Sequence, residues 1–190
     1  SHRNSAGLEF DSDDDRSAHF SVVEKPKDGS NPRVIGNARM IIKQHDNDLL
    51  PVEENFPEAF TDNPVADGSL EVSRFISRHE DEYTQHIVAL SLIRAMTHYS
   101  VDNDASRVYF VIEEPLWKLL SMIGLPMKKL TDPKQLPEYG DTMNMAVEID
   151  PRNVIAAVKA DKTGQLLLTQ FFAEETINQG LGYYRSSLVG

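Results

Sequence analysis

One nearly uninterrupted apolar run, RVYFVI at residues 107–112, constrains the fold of this 190-residue chain more than any other feature. Because it has no polar face, such a run is typical of a central strand that is covered on both sides. In the preceding segment, apolar residues recur at helical spacing from Glu82 to about Tyr99 and predict a long helix. A fully buried strand next to a long helix indicates an α/β domain.

The patterns along the rest of the chain predict further strands and helices in a mixed order. Gly36 lies inside one predicted strand and indicates a bulge there. The order is three strands, then alternating helices and strands, then helices, which indicates an α/β sandwich with a mixed central sheet. We expect a single domain over residues 1–190, with a helical part at 151–190. The other predicted strands are 18–23, 34–42, 69–77, 127–130 and 143–149, and the other predicted helices are 53–60, 115–123, 153–160 and 165–178.

Composition argues against several classes of function. The chain has no cysteine, which removes disulfides, thiolate zinc sites and a cysteine nucleophile, and which suits the reducing cytoplasm. Its net charge of -11 argues against a nucleic-acid partner, since such binding needs a basic surface. No apolar run approaches the roughly 20 residues that span a membrane. Basic residues do cluster locally, at Lys25 and Lys27 and again at Lys128, Lys129 and Lys134.

Arg39 lies in the middle of an apolar strand and is the first candidate site residue. A buried arginine requires a carboxylate partner. Carboxylates are dense at residues 11–15, so the candidate partners are Asp11, Asp14 and, further along, Glu71. Two plainer readings stay open, a solvated acidic loop and an edge-strand arginine that reaches water. A calcium loop is poorly supported, because the acidic run lacks the glycine and distal glutamate of an EF-hand.

Glu71 is the second candidate, in the strand at 69–77. In a regular strand Glu71 and Ser73 face one way, and Arg74 faces the other. A glutamate in an apolar cleft can have its pKa raised toward neutrality and can then accept a proton from an amine. A structural salt-bridge network at the same position is an equal alternative.

Four short motifs occur in a fixed order in the first half of the chain. They are EFDSDD at residues 9–14, GNAR at 36–39, FP at 56–57 and EVSRF at 71–75. In this order they resemble the autoinducer synthases of the LuxI type, in which an acidic stretch, a Gly-x-x-Arg strand, a Phe-Pro loop and a Glu-x-Ser-Arg-Phe strand follow one another. The resemblance covers roughly residues 7–150, and no diagnostic match follows from about residue 151.

This resemblance implies a GNAT-like three-layer α/β sandwich and an enzyme, an acyltransferase that makes an N-acyl-homoserine lactone for quorum sensing. The acyl donor would be an acyl-carrier-protein thioester. The amine donor would be S-adenosylmethionine, a substrate and not a permanently bound cofactor, and no metal would be needed. Glu71 would be the catalytic base, with Ser73 and Arg74 fixing the strand beside it.

The resemblance also assigns binding residues. Asp11, Asp14 and Arg39 would surround S-adenosylmethionine, and Phe56 would line a cavity shared by both substrates. Phe110 replaces a Thr or Ser that often lines the acyl pocket in members that make 3-oxo products. An acidic carrier protein needs a local basic surface, for which the candidates are Lys128, Lys129 and Lys134, with Lys25 and Lys27 as the alternative.

Several alternatives stay open. The strings DRSAH at 15–19 and LPVE at 50–53 are similar to the long-chain N-acyl amino acid synthases, which also use a carrier-protein thioester. A non-catalytic acyl-binding module on the same scaffold is a third reading. An ordinary CoA-dependent acetyltransferase is disfavoured, because the turn at 78–82 has no glycine and its carboxylates would repel phosphate. The family's usual N-terminal capping segment, with its Arg, Phe and Trp, is missing or not represented, and the single tryptophan is Trp117.

Overall fold

The computed structural model describes residues 2–3, 9–26, 28–45, 47–162, 169 and 182–186, with backbone only at 2–3, 9–10 and 182–186. Ten strands and five α-helices lie within these ranges. The strands are β1 (His2–Arg3), β2 (Glu9–Phe10), β3 (Ser17–Glu24), β4 (Arg33–Ile42), β5 (Leu70–Ser77), β6 (Val108–Glu113), β7 (Met127–Lys129), β8 (Lys134–Gln135), β9 (Met143–Ile149) and β10 (Gly182–Ser186). The helices are α1 (Pro51–Asn55), α2 (Pro57–Phe60), α3 (Glu82–Asp102), α4 (Glu114–Met122) and α5 (Pro151–Ala160), with short 3₁₀ turns at Asp14–Arg16 and Pro137–Tyr139.

A mixed sheet of eight described strands forms the centre of the fold, in the order β10-β3-β4-β5-β6-β9-β7, with β8 paired to β9. Most neighbours are antiparallel, but β5 and β6 run parallel. Their pairing is short, and it extends only from Leu70 opposite Val108 to Val72 opposite Phe110. Beyond Val72 the two strands are no longer paired, so an opening forms in the middle of the sheet.

The predicted central strand is confirmed, and both of its faces are covered. Val108 and Ile112 contribute to clusters on the face covered by α3, α4 and α5, whereas Tyr109 packs with α1 and α2 on the other face. This alternation follows the period of two in a strand. The result is three layers, with helices on both sides of the sheet. The predicted α/β sandwich with a mixed sheet is therefore confirmed.

Gly36 explains how closely α3 approaches the sheet. A Cβ atom at this position would lie 2.4 Å from Cγ1 of Val88 in α3, a distance that real Cβ atoms do not show. The pairing of β3 with β4 also shifts register between Val22 and Val23, beside Gly36. The predicted irregularity in this strand is thus present, and the close approach of the helix supplies a second reason for glycine.

Two predictions about the elements need correction. The predicted helix at 53–60 is two short helices, because Pro57 cannot donate a backbone hydrogen bond and begins a new helix, α2. The part at 151–190 is not helical throughout, since β10 (Gly182–Ser186) pairs antiparallel with β3. Aromatic residues favour strands, and this strand covers an otherwise open sheet edge. The predicted helix at 165–178 lies outside the described residues.

Within the described part of the chain, no helix is long and apolar enough to cross a membrane.

Candidate active site

Arg39 is buried at the centre of a charge network. Its Nη1 atom donates to Oδ1 of Asp11 at 2.6 Å and to Oδ1 of Asp14 at 2.9 Å. Its Nε atom donates to the Ser73 hydroxyl at 2.8 Å. The guanidinium of Arg74 adds a second cation, with Nη2 at 2.7 Å from Oδ2 of Asp11. The acidic run and the two arginine-bearing strands therefore meet at one place, although they are up to 63 residues apart in sequence.

A bulge in β5 brings Arg74 into this network. The pairing of β4 with β5 shifts register between Asn37 and Arg39, and Arg74 has a φ of 50°. This left-handed conformation is uncommon outside glycine and breaks the regular alternation of the strand. Regular alternation predicted that Ser73 and Arg74 face opposite sides. That prediction is wrong, because both side chains reach the network.

Asp14 remains ionised within the network. Burial alone would raise its pKa, but the backbone N–H of Asp11 and the Arg39 and Arg74 guanidinium groups outweigh burial, so the pKa lies below its ordinary value. The 3₁₀ turn at Asp14–Arg16 holds this carboxylate in place, with the Asp14 N–H donating to the Asp11 carbonyl at 3.2 Å. Two carboxylates face two guanidinium groups, so the network is balanced in charge.

Glu71 lies beside this network but outside its hydrogen bonds. Only 1% of the residue is exposed, and its Oε2 atom accepts the backbone N–H of Val52 at 2.8 Å. Burial raises the pKa of Glu71 to about 8, and the Asp13 and Glu53 charges act in the same direction. The Val52 N–H and the Arg39 charge lower it, but by less. A carboxyl group with this pKa can give and take a proton near neutral pH.

A buried ion pair fixes the helix that supplies the Val52 N–H. Nζ of Lys43 lies 2.9 and 2.8 Å from the two Glu53 carboxylate oxygens, and these residues are 2% and 7% exposed. Oε2 of Glu53 also accepts the backbone N–H of Leu50 at 2.9 Å, at the start of α1. The pair therefore holds the first turn of α1 at the end of β4, where Ile41 lies opposite Glu71 of β5.

A cavity of about 240 Å³ opens where β5 and β6 separate. Glu71, Ser73, Arg74 and Tyr139 form its polar end. Its remaining walls are largely apolar and come from β6 and from α3, α4 and α5, including Ile93, Met96, Phe110, Leu120 and Val154. One cavity thus combines a titratable carboxyl group with space for a hydrophobic chain.

Residues 3–154 match the family described as autoinducer synthase. The chain belongs to the autoinducer synthase family. It is therefore an enzyme, an acyltransferase, and the resemblance to the LuxI type is confirmed. A comparison with curated proteins gives no match.

Solved structures of acyl-homoserine lactone synthases share the fold of this autoinducer synthase. MesI, described as a CoA-dependent acyl-homoserine lactone synthase, is 20% identical in sequence with a TM-score of 0.59. The match covers 78% of this chain and 69% of the MesI chain. BjaI, also described as CoA-dependent and solved with SAM and isopentyl-CoA, is 16% identical in sequence with a TM-score of 0.60. The match covers 89% of this chain and 80% of the BjaI chain. FeeM, described as an N-acyl amino acid synthase, is 17% identical in sequence with a TM-score of 0.52. The match covers 73% of this chain and 69% of the FeeM chain.

The two predicted aromatic site residues of this synthase lie in different places. Phe110 lines the cavity. Phe56 is fully buried behind the site, where it packs with Ile41 and Tyr109 on the α1 side of the sheet, and it is not among the residues that line the cavity. Phe56 therefore supports the wall of the site from outside.

The three lysines predicted to bind a carrier protein all have carboxylate partners. Lys128 pairs with Glu148 at 2.9 Å, and Lys129 pairs with Asp132 at 3.0 Å. Lys134 pairs with Glu58 at 2.8 Å, and its Nζ lies 4.4 Å from the centre of the Phe56 ring. Their charges are thus partly neutralised, and carrier contact by this surface stays a prediction.

Sequence reasoning missed two residues of the site, Lys43 and Tyr139. Lys43 directly follows the apolar run of β4, where an isolated lysine is a signal for a buried partner. Tyr139 ends a 3₁₀ turn that comes shortly after β8; neither short element was predicted, and only the fold brings Tyr139 to the cavity. In the described ranges, no group of three or more His, Asp or Glu side chains is placed to hold a metal ion.

Proposed function

We propose that this enzyme makes an N-acyl-homoserine lactone from an acyl-carrier-protein thioester and S-adenosylmethionine, as a single acyltransferase domain in the cytoplasm. The observation that carries the proposal is one cavity that is polar at one end and apolar along its remaining walls. Its polar end holds Glu71 beside the charge network, and its apolar walls offer room for an acyl chain. Both substrates can then meet at Glu71, where β5 and β6 separate.

Glu71 acts as the general base in this proposal. It accepts a proton from the amine of S-adenosylmethionine, and the amine nitrogen attacks the thioester carbonyl carbon. The C–N bond forms, the C–S bond breaks, and the carrier leaves as a thiol. The carboxylate of the acylated product then displaces methylthioadenosine from its own γ carbon and closes the lactone. The reaction needs no metal ion, because the amine and the thioester are already reactive once they are aligned.

The charge network binds and orients S-adenosylmethionine. Asp11 is 24% exposed at its side chain, so it can accept a hydrogen bond from the substrate amine while it stays paired with Arg39 and Arg74. Asp14 is more deeply buried and keeps the two guanidinium groups in position. Ser73, held by Arg39, fixes the strand next to Glu71. A network with fixed charges costs little reorganisation during the reaction.

The N-terminus of α3 supports a carrier protein over free CoA as the acyl donor. A helix N-terminus can hold a pyrophosphate through its exposed N–H groups. In this chain the carboxylate of Asp81 occupies that position, with Oδ2 accepting the Thr84 N–H at 2.7 Å. Glu80 and Glu82 add further negative charge on either side. A pyrophosphate brought to this helix N-terminus would therefore meet a carboxylate.

The deciding experiment supplies the purified chain with matched acyl groups on acyl carrier protein and on CoA. S-adenosylmethionine or free amino acids are offered as the amine, and mass spectrometry identifies the product. We expect an acyl-homoserine lactone, with a higher kcat/KM for the carrier-protein thioester. An acyl amino acid as the sole product would contradict the proposed amine donor, and a preference for acyl-CoA would contradict the proposed acyl donor.

The carrier surface is tested by charge reversal at Lys128, Lys129 and Lys134, with Lys25→Glu as the comparison. If these three lysines bind the carrier, reversal raises the KM for acyl carrier protein, and the increase shrinks at high salt because exposed charges are screened. The KM for a short acyl-pantetheine thioester should not change. An unchanged KM for the carrier would remove these lysines from the interface.

A further inference from the structure

The cavity contains few groups that can donate a hydrogen bond to a substrate. Its polar lining residues within the described ranges are Glu71, Ser73, Arg74, Thr97, Ser100 and Tyr139. The hydroxyl of Thr97 donates to the Ile93 carbonyl at 2.9 Å, and that of Ser100 donates to the Met96 carbonyl at 2.7 Å. Both protons are thus used inside α3, and these two hydroxyls can only accept.

The charged lining residues are also engaged. Arg74 donates to Asp11 and Asp14, and Glu71 accepts from the backbone of Val52. Ser73 accepts from Arg39, which leaves its own proton available. Tyr139 differs from all of these, because its hydroxyl has no hydrogen-bond partner among the described residues. Of the four hydroxyl groups that line the cavity, those of Ser73 and Tyr139 are therefore the two that keep a proton for a substrate.

The chain holds Tyr139 firmly at the mouth of the cavity. It ends the 3₁₀ turn, where its N–H donates to the Leu136 carbonyl at 3.0 Å, and its own carbonyl accepts the Thr142 hydroxyl at 3.1 Å. Gly140 follows with a φ of 74°, a conformation that turns the chain back toward β9 and that glycine adopts without strain. Tyr139 is 40% exposed, so its ring borders both the cavity and solvent.

We propose that the Tyr139 hydroxyl donates a hydrogen bond to the thioester carbonyl oxygen while that oxygen carries negative charge, an inference that rests on the proposed function. When the amine nitrogen attacks, the C=O electron pair moves onto the oxygen, where a donor stabilises it. The pair returns as the C–S bond breaks, and Tyr139 keeps its proton throughout. This is a catalytic residue beyond those that the motifs identify.

The electrostatics of the site agree with this role. Burial raises the pKa of Tyr139 to about 12, and the Glu71 and Glu138 charges act in the same direction. Tyr139 therefore keeps its proton at every pH at which Glu71 titrates.

The test is Tyr139→Phe in the full chain, assayed with acyl carrier protein thioester and S-adenosylmethionine. Removing one donor to an oxyanion lowers kcat by on the order of 10²-fold, with little change in KM, because the bond forms only in the transition state. Tyr83→Phe is the matched control, since Tyr83 is 71% exposed at the start of α3, and it should behave as wild type. The unfolding temperature should not change, because the hydroxyl has no protein partner.

If Tyr139→Phe is unstable, Tyr139→His provides a second test of the same role. Histidine restores an N–H donor on a smaller ring, so it should retain more turnover than phenylalanine. Equal turnover in wild type and Tyr139→Phe, or a change in KM alone, overturns the role of Tyr139 and leaves the proposed function standing. A wild-type protein that forms no amide from a thioester overturns the proposed function, and this inference falls with it.

Discussion

Asp14 and Glu71 are both buried carboxylates, with 6% and 1% of each residue exposed, yet their pKa values move in opposite directions. Asp14 faces two guanidinium groups and an N–H donor, which hold its pKa below the ordinary value against the effect of burial. Glu71 accepts one backbone N–H and has no hydrogen-bonded cation, so burial raises its pKa to about 8. The partner, and not the depth of burial, decides which carboxylate can exchange a proton.

This difference separates two roles within one site. A carboxylate with a lowered pKa keeps its charge at all working pH values and is suited to binding and orientation. A carboxyl group with a pKa near 8 changes its charge in the working range and is suited to proton transfer. The same network that makes Asp14 a fixed charge leaves Glu71 without a counter-ion.

The largest expected effect comes from Glu71→Gln. Glutamine keeps the size of the side chain and can still accept the Val52 N–H, but it cannot take up a proton at neutral pH. If Glu71 is the base, turnover falls by about 10²- to 10⁴-fold. Stability near pH 7 should not fall and should rise by up to about 3 kcal/mol, because glutamine removes the proton uptake that burial of Glu71 requires above about pH 4.5. Turnover and thermal unfolding measured on the same samples check both statements.

Glu54→Gln is the matched control, an exposed position on the same short helix as Val52. It should show wild-type turnover. Near-normal turnover in Glu71→Gln would remove Glu71 as the base, and a large loss of stability would show that the carboxylate has a structural partner.

The next prediction concerns pH. The folded protein binds the Glu71 proton more tightly than the unfolded chain does, so the stability that this proton provides is complete below about pH 4.5 and is lost as pH rises to about 8. The loss is on the order of 5 kcal/mol, since the shift from 4.5 to about 8 is about 3.5 pKa units and each unit corresponds to about 1.4 kcal/mol. Turnover should rise over the upper part of the same range, as the base form accumulates.

Asp14 acts in the opposite sense. Its contribution is present above its unfolded pKa of about 3.8 and is lost as pH falls through the lowered folded value. Denaturant unfolding from pH 3 to pH 9 separates the two groups, because Glu71→Gln should abolish only the decline between about pH 4.5 and pH 8. A decline in this range that survives in Glu71→Gln belongs to another group.

A third, smaller effect is expected from Arg39→Gln, which removes a cation from Asp14. Arg39 is 4% exposed, and breaking a buried ion pair costs about 3–5 kcal/mol. Because Arg74 stays beside both carboxylates, we expect a loss near the lower limit, measured by urea unfolding at pH 7. The penalty should shrink near pH 3, as the carboxylates take up protons. Arg74→Gln is the comparison, because the Arg74 side chain is 23% exposed. If Arg39→Gln lowered the free energy of unfolding by less than Arg74→Gln does, the central position of Arg39 would be contradicted.

The network was predictable from sequence because a buried charge dictates its partners. Arg39 within an apolar strand required a carboxylate, and the structure supplies Asp11 and Asp14 from the candidates named. The third candidate, Glu71, does not bond to Arg39. Its carboxylate points to the backbone N–H of Val52, a donor that no residue pattern reveals, because it depends on how α1 lies against β5.

Arg74 and Tyr139 show where residue patterns stop being informative. A bulge at a non-glycine residue leaves no mark in the alternation of a strand, so the side chain of Arg74 was assigned to the wrong face. Tyr139 follows a two-residue strand and sits in a three-residue turn, both too short for a period to emerge. Long periodic elements such as α3 and β6 were predicted within a few residues, because burial repeats along them.

The smallest effect extends the comparison to a carboxylate at the surface. Nζ of Lys134 donates to Glu58 and lowers its pKa, as the arginines do for Asp14, but the two side chains are 38% and 56% exposed. Water already solvates both charges, and measured surface pairs contribute about 0–1 kcal/mol. Lys134→Gln should therefore lower stability by less than about 1 kcal/mol, including its contact with the Phe56 ring, and added salt should reduce the difference further. Urea unfolding at low and high salt measures it. If Lys134→Gln lowered stability as much as Arg39→Gln does, a cation partner would stabilise a carboxylate equally at any depth of burial. The distinction between buried Asp14 and the exposed Lys134–Glu58 pair would then fail.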